Sequence, residues 1–349
     1  MLSLFQPASS TCQQLPPVAR CQLFFIFTKN VLLYQLFKIP ATLCFWMYCR
    51  QLRINHKELL NATGPLLLAC NHPNSFLDAI IISTLFKRPV HSLARGDAFK
   101  NKFVAFFLRS LNMLPVYRTS EGTENMEHNY TTFEACKKIF KDNGIVLIFS
   151  EGRCINEWRL RPLMKGTARL AISSWEDGID LKILPVGINY QSFRTFGKNI
   201  HLNIGDKLTS GDVDQTKGFG KSLVGFNGQL QSRLQPLVYE IDKRNQTSLR
   251  EHFFIPVPFL KKLLLAIPAA AGYLIHLPLS YTVKKIAAKM GDSNDHYDSI
   301  LVGMLFFAYP IYLLAIALLL YKLEQPYWWG AVILLPFSGW TYLQMKKQF

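Results

Sequence analysis

Leu66-Leu67-Leu68-Ala69-Cys70-Asn71-His72-Pro73-Asn74-Ser75-Phe76-Leu77-Asp78-Ala79-Ile80-Ile81-Ile82 is the stretch on which the reading of this chain turns. An apolar run with no polar alternation reads as a strand buried on both faces. A Pro-Asn-Ser turn follows, and a second apolar run then starts a helix. His72 and Asp78 flank that turn. Imidazole is the side chain best matched to proton transfer near neutral pH. A carboxylate close behind it can fix one tautomer and stabilise the imidazolium once a proton is taken. A strand-to-helix junction is also where open α/β sheets place their chemistry.

The same alternation continues outward. Strands are expected at 52–55, 66–70, 90–94, 113–117, 145–149, 183–189 and 200–204, with helices at 76–86, 99–111, 125–142 and 163–173 between them. This argues for an α/β fold with a largely parallel sheet flanked by helices, and some connections are so short that the sheet is expected to be mixed. Asp142-Asn143-Gly144 reads as a helix stop before a buried strand.

Composition narrows the setting. Half of the 349 residues are hydrophobic, yet the formal net charge is +16. Apolar and basic together point to a membrane surface or a phosphorylated substrate. No zinc-finger spacing, basic-zipper heptad or RNA-binding signature accompanies the charge, so nucleic acid is set aside as a partner. The seven cysteines are odd in number and contain no C-x-x-C pair, which argues against a disulfide framework or a structural zinc site.

Residues 1–21 are polar and Pro-containing and read as a disordered N-terminus. Residues 22–50 form a long aromatic-rich helix that Pro40 is expected to kink, associated with the membrane through its apolar surface. Residues 51–250 are expected to form the catalytic domain, with 219–250 a polar helical cover or linker. Residues 251–349 form a C-terminal membrane region. Within it, 300–321 carries no charge and is long enough to cross a ~30 Å hydrocarbon core, and 326–345 is likewise uncharged, with Trp328, Trp329, Trp340 and Tyr342 near its ends. Lysines flank these runs (Lys261, Lys262, Lys284, Lys285, Lys289, Lys346, Lys347), whereas the loop between the last two has only Lys322 beside Glu324. A transmembrane hairpin with both ends cytoplasmic follows, the segment 263–283, broken by Pro268, Gly272 and Pro278, being re-entrant or surface-lying.

Three further patterns stand in order behind His72: Leu114-Pro115-Val116-Tyr117-Arg118, Ile148-Phe149-Ser150-Glu151-Gly152-Arg153 and Ile183-Leu184-Pro185-Val186-Gly187-Ile188. Alone, each has an ordinary structural reading: a core histidine beside a helix-capping aspartate, a solvated strand-end arginine, a turn with a surface ion pair, an edge strand or bulge. Together, strand-end loops on one side of a sheet can bring His72, Arg118 and Arg153 into one cleft, and guanidinium matches phosphate bidentately. Between Arg88 and Arg169 there are 14 Lys/Arg against 8 Asp/Glu. A base, a phosphate clamp and a membrane that supplies lipid point to acyl transfer to an alcohol.

These blocks resemble the glycerolipid acyltransferases, typified by the 1-acyl-glycerol-3-phosphate acyltransferases, over about residues 29–207. The histidine–aspartate block corresponds to Asn71-His72 through Asp78, the second ends at Arg118, the third stands as Phe149-Ser150-Glu151-Gly152-Arg153-Cys154, and the fourth is Leu184-Pro185-Val186-Gly187. Leu163-Met164-Lys165-Gly166 matches the lysine–glycine step after the third. The resemblance implies a glycerol-3-phosphate acyltransferase-like fold with His72 and Asp78 catalytic and Arg118, Glu151, Gly152, Arg153 and Lys165 binding substrate. It implies no metal or bound cofactor, and acyl-CoA or acyl-carrier protein as donor. Backbone N–H groups at the helix start after Asn74 are expected to hold the oxyanion. Two departures stand out. Five residues, not four, separate His72 from Asp78, and the third-block arginine comes one place early, with Cys154 in its usual position. Two other readings of the same residues are a hydrolase that uses the His–Asp pair on a lipid ester or thioester, and an inactive lipid-binding membrane protein.

Overall fold

A computed structural model describes residues 17–117, 126–216, 218–291 and 295–349. Among them, one sheet forms from seven strands: β1 (Cys49–Ile54), β2 (Leu66–Cys70), β3 (Val90–Arg95), β4 (Met113–Val116), β5 (Ile145–Phe149), β6 (Lys182–Tyr190) and β7 (Lys198–Ile204). The order across it is β1-β7-β6-β2-β5-β3-β4. Every neighbouring pair is parallel except β6–β7, so the sheet is mixed and largely parallel.

The central strands are buried on both sides, and successive residues feed opposite cores. Leu66, Leu68 and Cys70 enter one cluster while Leu67 and Ala69 enter the other. Packed on the first face are α1 (Pro17–Tyr48) and α2 (Phe76–Leu85). The second is covered by α4 (Met126–Lys141), α5 (Lys165–Glu176) and α6 (Phe219–Leu234). A short helix α3 (Lys102–Ser110) precedes β4, and α7 (Gln246–Phe253) follows α6. The expected helix at 99–111 is two pieces, a 3-10 turn over Gly96–Phe99 and then α3, because Asn101 caps the Phe103 and Val104 amides and restarts the helix. α4 stops where expected. Asn143 takes φ 55° and the Gly144 amide returns to the Ile139 carbonyl at 2.8 Å.

β6 corrects one sequence expectation. Pro185 and Gly187 stand in an interior strand, not at an edge. Ile183 exchanges both backbone bonds with Leu208, and the Pro185 carbonyl accepts from Gly205. Side by side along the strand, Ile183 and Pro185 therefore face the flank where β7 has already ended, and the missing proline N–H costs no ladder bond. At Gly187 a Cβ would lie 2.4 Å from the Leu237 carbonyl oxygen, so only glycine lets that backbone cross.

The expectation of disorder for 1–21 falls mainly on 1–16, outside the described residues, and 17–21 are helical. α1 runs through Pro40. After the sheet come α8 (Phe259–Gly291), α9 (Tyr297–Lys322) and α10 (Ala331–Met345). α9 leaves the sheet at Asp298 and Ser299, which bond Asn74 and Leu77. α10 begins beside the far end of α9, Ala331 and Leu335 packing on Ala317, and returns to the sheet, where Arg50 bonds the carbonyls of Leu343 and Lys346. α8 is one continuous helix through Pro268 and Pro278. Its start is tied to the end of α10 by Lys261 to Gln344, its middle meets Tyr309 through His276, and Val283 and Ala287 rejoin the sheet core. Both its ends thus lie on the sheet side and its middle on the α9–α10 pair. α8 and α9 are long and apolar enough to cross a membrane. The expected span at 326–345 is the 15-residue α10, preceded by a 3-10 turn over Trp328–Gly330.

Candidate active site

β2, β5 and β6 end side by side, with Cys70 in register with Phe149 on one flank and with Val186 on the other. Their C-terminal ends carry the residues that follow. His72 and Glu151 each lie two positions beyond a register pair, and so they meet. The His72 amide donates to Glu151 Oε2 at 3.1 Å and the Arg161 amide to Oε1 at 3.0 Å. The Asn71 side chain splices the end of β2 to β6, donating to the Ile188 carbonyl at 3.0 Å and accepting from its amide at 2.8 Å.

His72 Nδ1 stands 2.9 Å from Asp78 Oδ2. Asp78 is fully buried. Its Oδ2 also accepts from the Asn74 amide at 2.8 Å, and its Oδ1 accepts from the Tyr190 hydroxyl at 2.6 Å. Burial, and next the Asp78 carboxylate, hold the Tyr190 phenol well above its usual range, so it stays a donor. An acceptor on Nδ1 leaves that nitrogen carrying the proton, and Nε2 is the basic one. The imidazole lies against the Phe149 ring, centroids 3.9 Å apart and planes 12° apart. It retains some exposure, 16 % against 0 % for Asp78.

The fifth intervening residue is absorbed in the turn. Ser75 takes φ 57° and ψ −141°, α2 begins at Phe76, and Asp78 stays on the His72 side. A non-glycine residue there costs on the order of 1–3 kcal/mol, held by what surrounds it. The surroundings are well defined. The Ser75 amide meets Cys154 Sγ at 2.9 Å, and the Leu77 amide donates to Ser299 Oγ at 3.2 Å. Ser299 in turn bonds the Asn74 carbonyl at 3.3 Å. Asn74 Nδ2 donates to Asp298 Oδ2 at 2.9 Å, and Asp298 forms a fully buried ion pair with Lys198. Asp295 accepts from the Asn156 amide at 3.2 Å. Of the N–H groups expected free at this helix start, that of Leu77 holds an oxygen acceptor and that of Ser75 faces sulfur, whereas that of Phe76 has no acceptor among the described residues.

The remaining expected residues divide. Glu151 is buried with both oxygens occupied by backbone amides, and burial pushes its carboxyl above the usual range, so it braces the loop instead of offering a carboxylate to a substrate. Gly152 has φ 69°, and a Cβ there would lie 2.8 Å from Met164 Cγ. Arg153 and Lys165 are exposed and have no ion-pair partner among the described residues, Lys165 opening α5. Arg118 lies outside the described residues. Cys154, in the place where the resemblance expects arginine, is packed between the Ser75 turn and the Asp295 carbonyl, and burial pushes its thiol up. Arg161 keeps one buried guanidinium nitrogen without a partner.

Residues 51–189, which hold all of this machinery except Tyr190 and the α9 and β7 contacts, match the family model described as Acyltransferase. Over these residues the chain is similar to the acyltransferases. The 1-acyl-sn-glycerol-3-phosphate acyltransferase of Bacillus subtilis (strain 168) is 27 % identical over 120 residues, which are 34 % of this chain and 55 % of that relative. The matched part thus spans about half the length of the curated relative. The crystal structure of the 1-acyl-sn-glycerophosphate (LPA) acyltransferase PlsC from Thermotoga maritima covers 63 % of this chain and 84 % of its own, with 11 % identity and a TM-score of 0.35.

Sequence reasoning missed Asn74, Tyr190, Lys198, Asp298 and Ser299 as parts of the candidate site. Tyr190 is the last residue of the strand that carries the fourth motif. Asp298 had its own signal, a carboxylate at the threshold of an otherwise charge-free run, where an ionisable group must have a partner.

Proposed function

We propose that this acyltransferase moves a fatty acyl group from the thioester of acyl-CoA or acyl-carrier protein to the hydroxyl of a phosphate-bearing lysolipid, with a 1-acyl-glycerol-3-phosphate as the first acceptor to test. The observation that carries the reading is the His72–Asp78 pair, with Asp78 buried and held by two further donors. His72 Nε2 takes the acceptor hydroxyl proton as the oxygen attacks the thioester carbonyl. The new C–O bond forms, the C–S bond breaks on collapse of the tetrahedral intermediate, and the imidazolium returns its proton to the departing thiolate. Asp78 stabilises the charged ring throughout without itself taking the proton. The Phe76 amide, which has no acceptor among the described residues, and the Ser75 amide, whose acceptor is a sulfur, are the donors in this turn most readily turned to an oxyanion.

Arg153, Lys165 and Arg118 are the cations assigned to the acceptor phosphate. The two apolar helices α8 and α9, with α1 and α10, hold the sheet at a bilayer surface. Lysines 261, 262, 284, 285, 289, 346 and 347 flank the apolar helices, whereas the turn between α9 and α10 has only Lys322, a bias that supports a catalytic domain on the cytoplasmic side.

The test is a product assay on the purified full chain with radiolabelled acyl-CoA, with and without 1-acyl-glycerol-3-phosphate. Diacyl product that depends on the acceptor is expected. Thioester consumption of equal rate without acceptor would assign a hydrolase, and binding without turnover an inactive protein.

A further inference from the structure

Away from His72, a cavity of about 770 Å³ lies enclosed by α1, α8, α9 and α10. Its walls are almost wholly apolar, Cys44, Leu279, Val283, Leu305, Leu313 and Leu343 among them. All these wall residues lie outside the matched family segment, and none is hydrogen-bonded to the His72–Asp78 pair. Leu43, Trp46, Val332 and Phe337 line it and are also exposed on the outer apolar flank, so it opens sideways between helices and not toward the catalytic turn. Water has few polar partners in such a space. The volume is that of a small-molecule site.

One end is different. Lys284 and Lys346 both reach the lining. Lys346 Nζ donates to the Phe196 carbonyl at 2.7 Å, and neither lysine has an ion-pair partner among the described residues. Arg50 and Lys198 add positive charge close by. Burial first, then Lys284, Arg50 and Lys198, push the Lys346 ammonium down to about 8. Lys198 is answered by Asp298, but Lys284, Lys346 and Arg50 have no ion-pair partner among the described residues, and like charges gathered at the end of an apolar chamber create a place for an anion attached to a hydrocarbon chain.

We propose that this cavity is a lipid-binding site, separate from the catalytic turn, that takes one acyl chain of an anionic phosphate-headed lipid from the bilayer and holds its phosphate between Lys284 and Lys346. The apolar walls select the chain, the lysines select the charge, and the lateral opening admits the lipid from the membrane. The site does not depend on acyl transfer.

The experiment is photolabelling of the full chain in phosphatidylcholine nanodiscs with a trace of phosphatidylglycerol carrying a diazirine near the end of one acyl chain. Expected are adducts on Leu305 and Leu313, competed by unlabelled phosphatidylglycerol but not by added phosphatidylcholine. The double variant Lys284→Ala/Lys346→Ala should lose at least about tenfold in labelling, the scale of one or two lost charge-assisted contacts. Leu313→Trp, which fills the chamber, should lose labelling with an unchanged unfolding temperature. His72→Ala should label as the wild type does, which separates this site from the acyl-transfer reading. Adducts spread evenly over the outward-facing Phe307 and Ile311, equal competition by phosphatidylcholine, or stronger competition by free fatty acid than by phosphatidylglycerol would each overturn the proposal.

Discussion

Asp78 is the residue on which the site depends, and its environment makes clear predictions. A buried carboxylate needs each of its donors. Tyr190→Phe removes one of three while keeping the ring that fills the core. A hydrogen bond to a charged group is worth about 1.5–3 kcal/mol, so kcat should fall about tenfold or more with little change in acceptor KM, read by steady-state kinetics on the folded variant. Arg153→Ala should do the opposite, raising the acceptor KM more than the donor KM and leaving kcat nearly intact. An unchanged acceptor KM would remove Arg153 from the phosphate role. Ser75 and Gly152 are positions where the backbone, not the side chain, sets the residue. At Ser75 strain is tolerated because Asp78, Cys154 and Ser299 hold the turn from three sides. His72 and Asp78 were legible in the sequence because strand, turn and helix follow one another locally. The direction of the Asp78 side chain was not, since it hangs on how one extra residue folds within that turn.

At the scale of elements, the first turn of α9 is built into the turn between His72 and Asp78. Asp298 and Ser299 bind Asn74 and Leu77 across more than two hundred residues of sequence. No local pattern carries such a contact, which is why the sequence reading placed this helix only in the membrane. Asp298→Ala leaves Lys198 buried and unpaired and should destabilise by about 3–5 kcal/mol. Lys198→Met combined with Asp298→Leu should recover most of that loss in thermal unfolding. β7 offers a pH-dependent test. Burial, followed by the charges of Arg53 and His252, lowers the His201 imidazole from 6.5 to about 4. The folded state therefore resists a proton that the unfolded chain accepts, and stability should fall as pH drops from about 6.5 toward 4. His201→Gln should lose less over that window than the wild type, measured by unfolding midpoints across the pH series. Strand limits tell a related story. β2 and β5 were read to the residue because their apolar runs end at clear breakers, Pro65 and Asn71, Gly144 and Ser150. β1 was read three residues late because α1 runs into it through apolar Tyr48 and Cys49 without a break.

The whole molecule joins a sheet whose strand ends carry the His72–Asp78 pair to a helical region that both braces the turn between them and lines an apolar chamber. The sheet and its flanking helices were visible in the alternation of buried runs. That α8 runs as one continuous helix through Pro268 and Pro278 was not, because prolines that break a helix in water are tolerated when neighbouring helices pack around them. Gly272 shows the fit, since a Cβ there would lie 2.0 Å from the Ser338 carbonyl oxygen of α10. What the molecule does as a unit still rests on one imidazole. The most direct measurement is acyl transfer to 1-acyl-glycerol-3-phosphate by purified full-length His72→Ala, with circular dichroism and membrane association checked alongside. The account predicts a folded, membrane-associated protein that forms no diacyl product above the uncatalysed rate, whereas substantial turnover by that variant would contradict it.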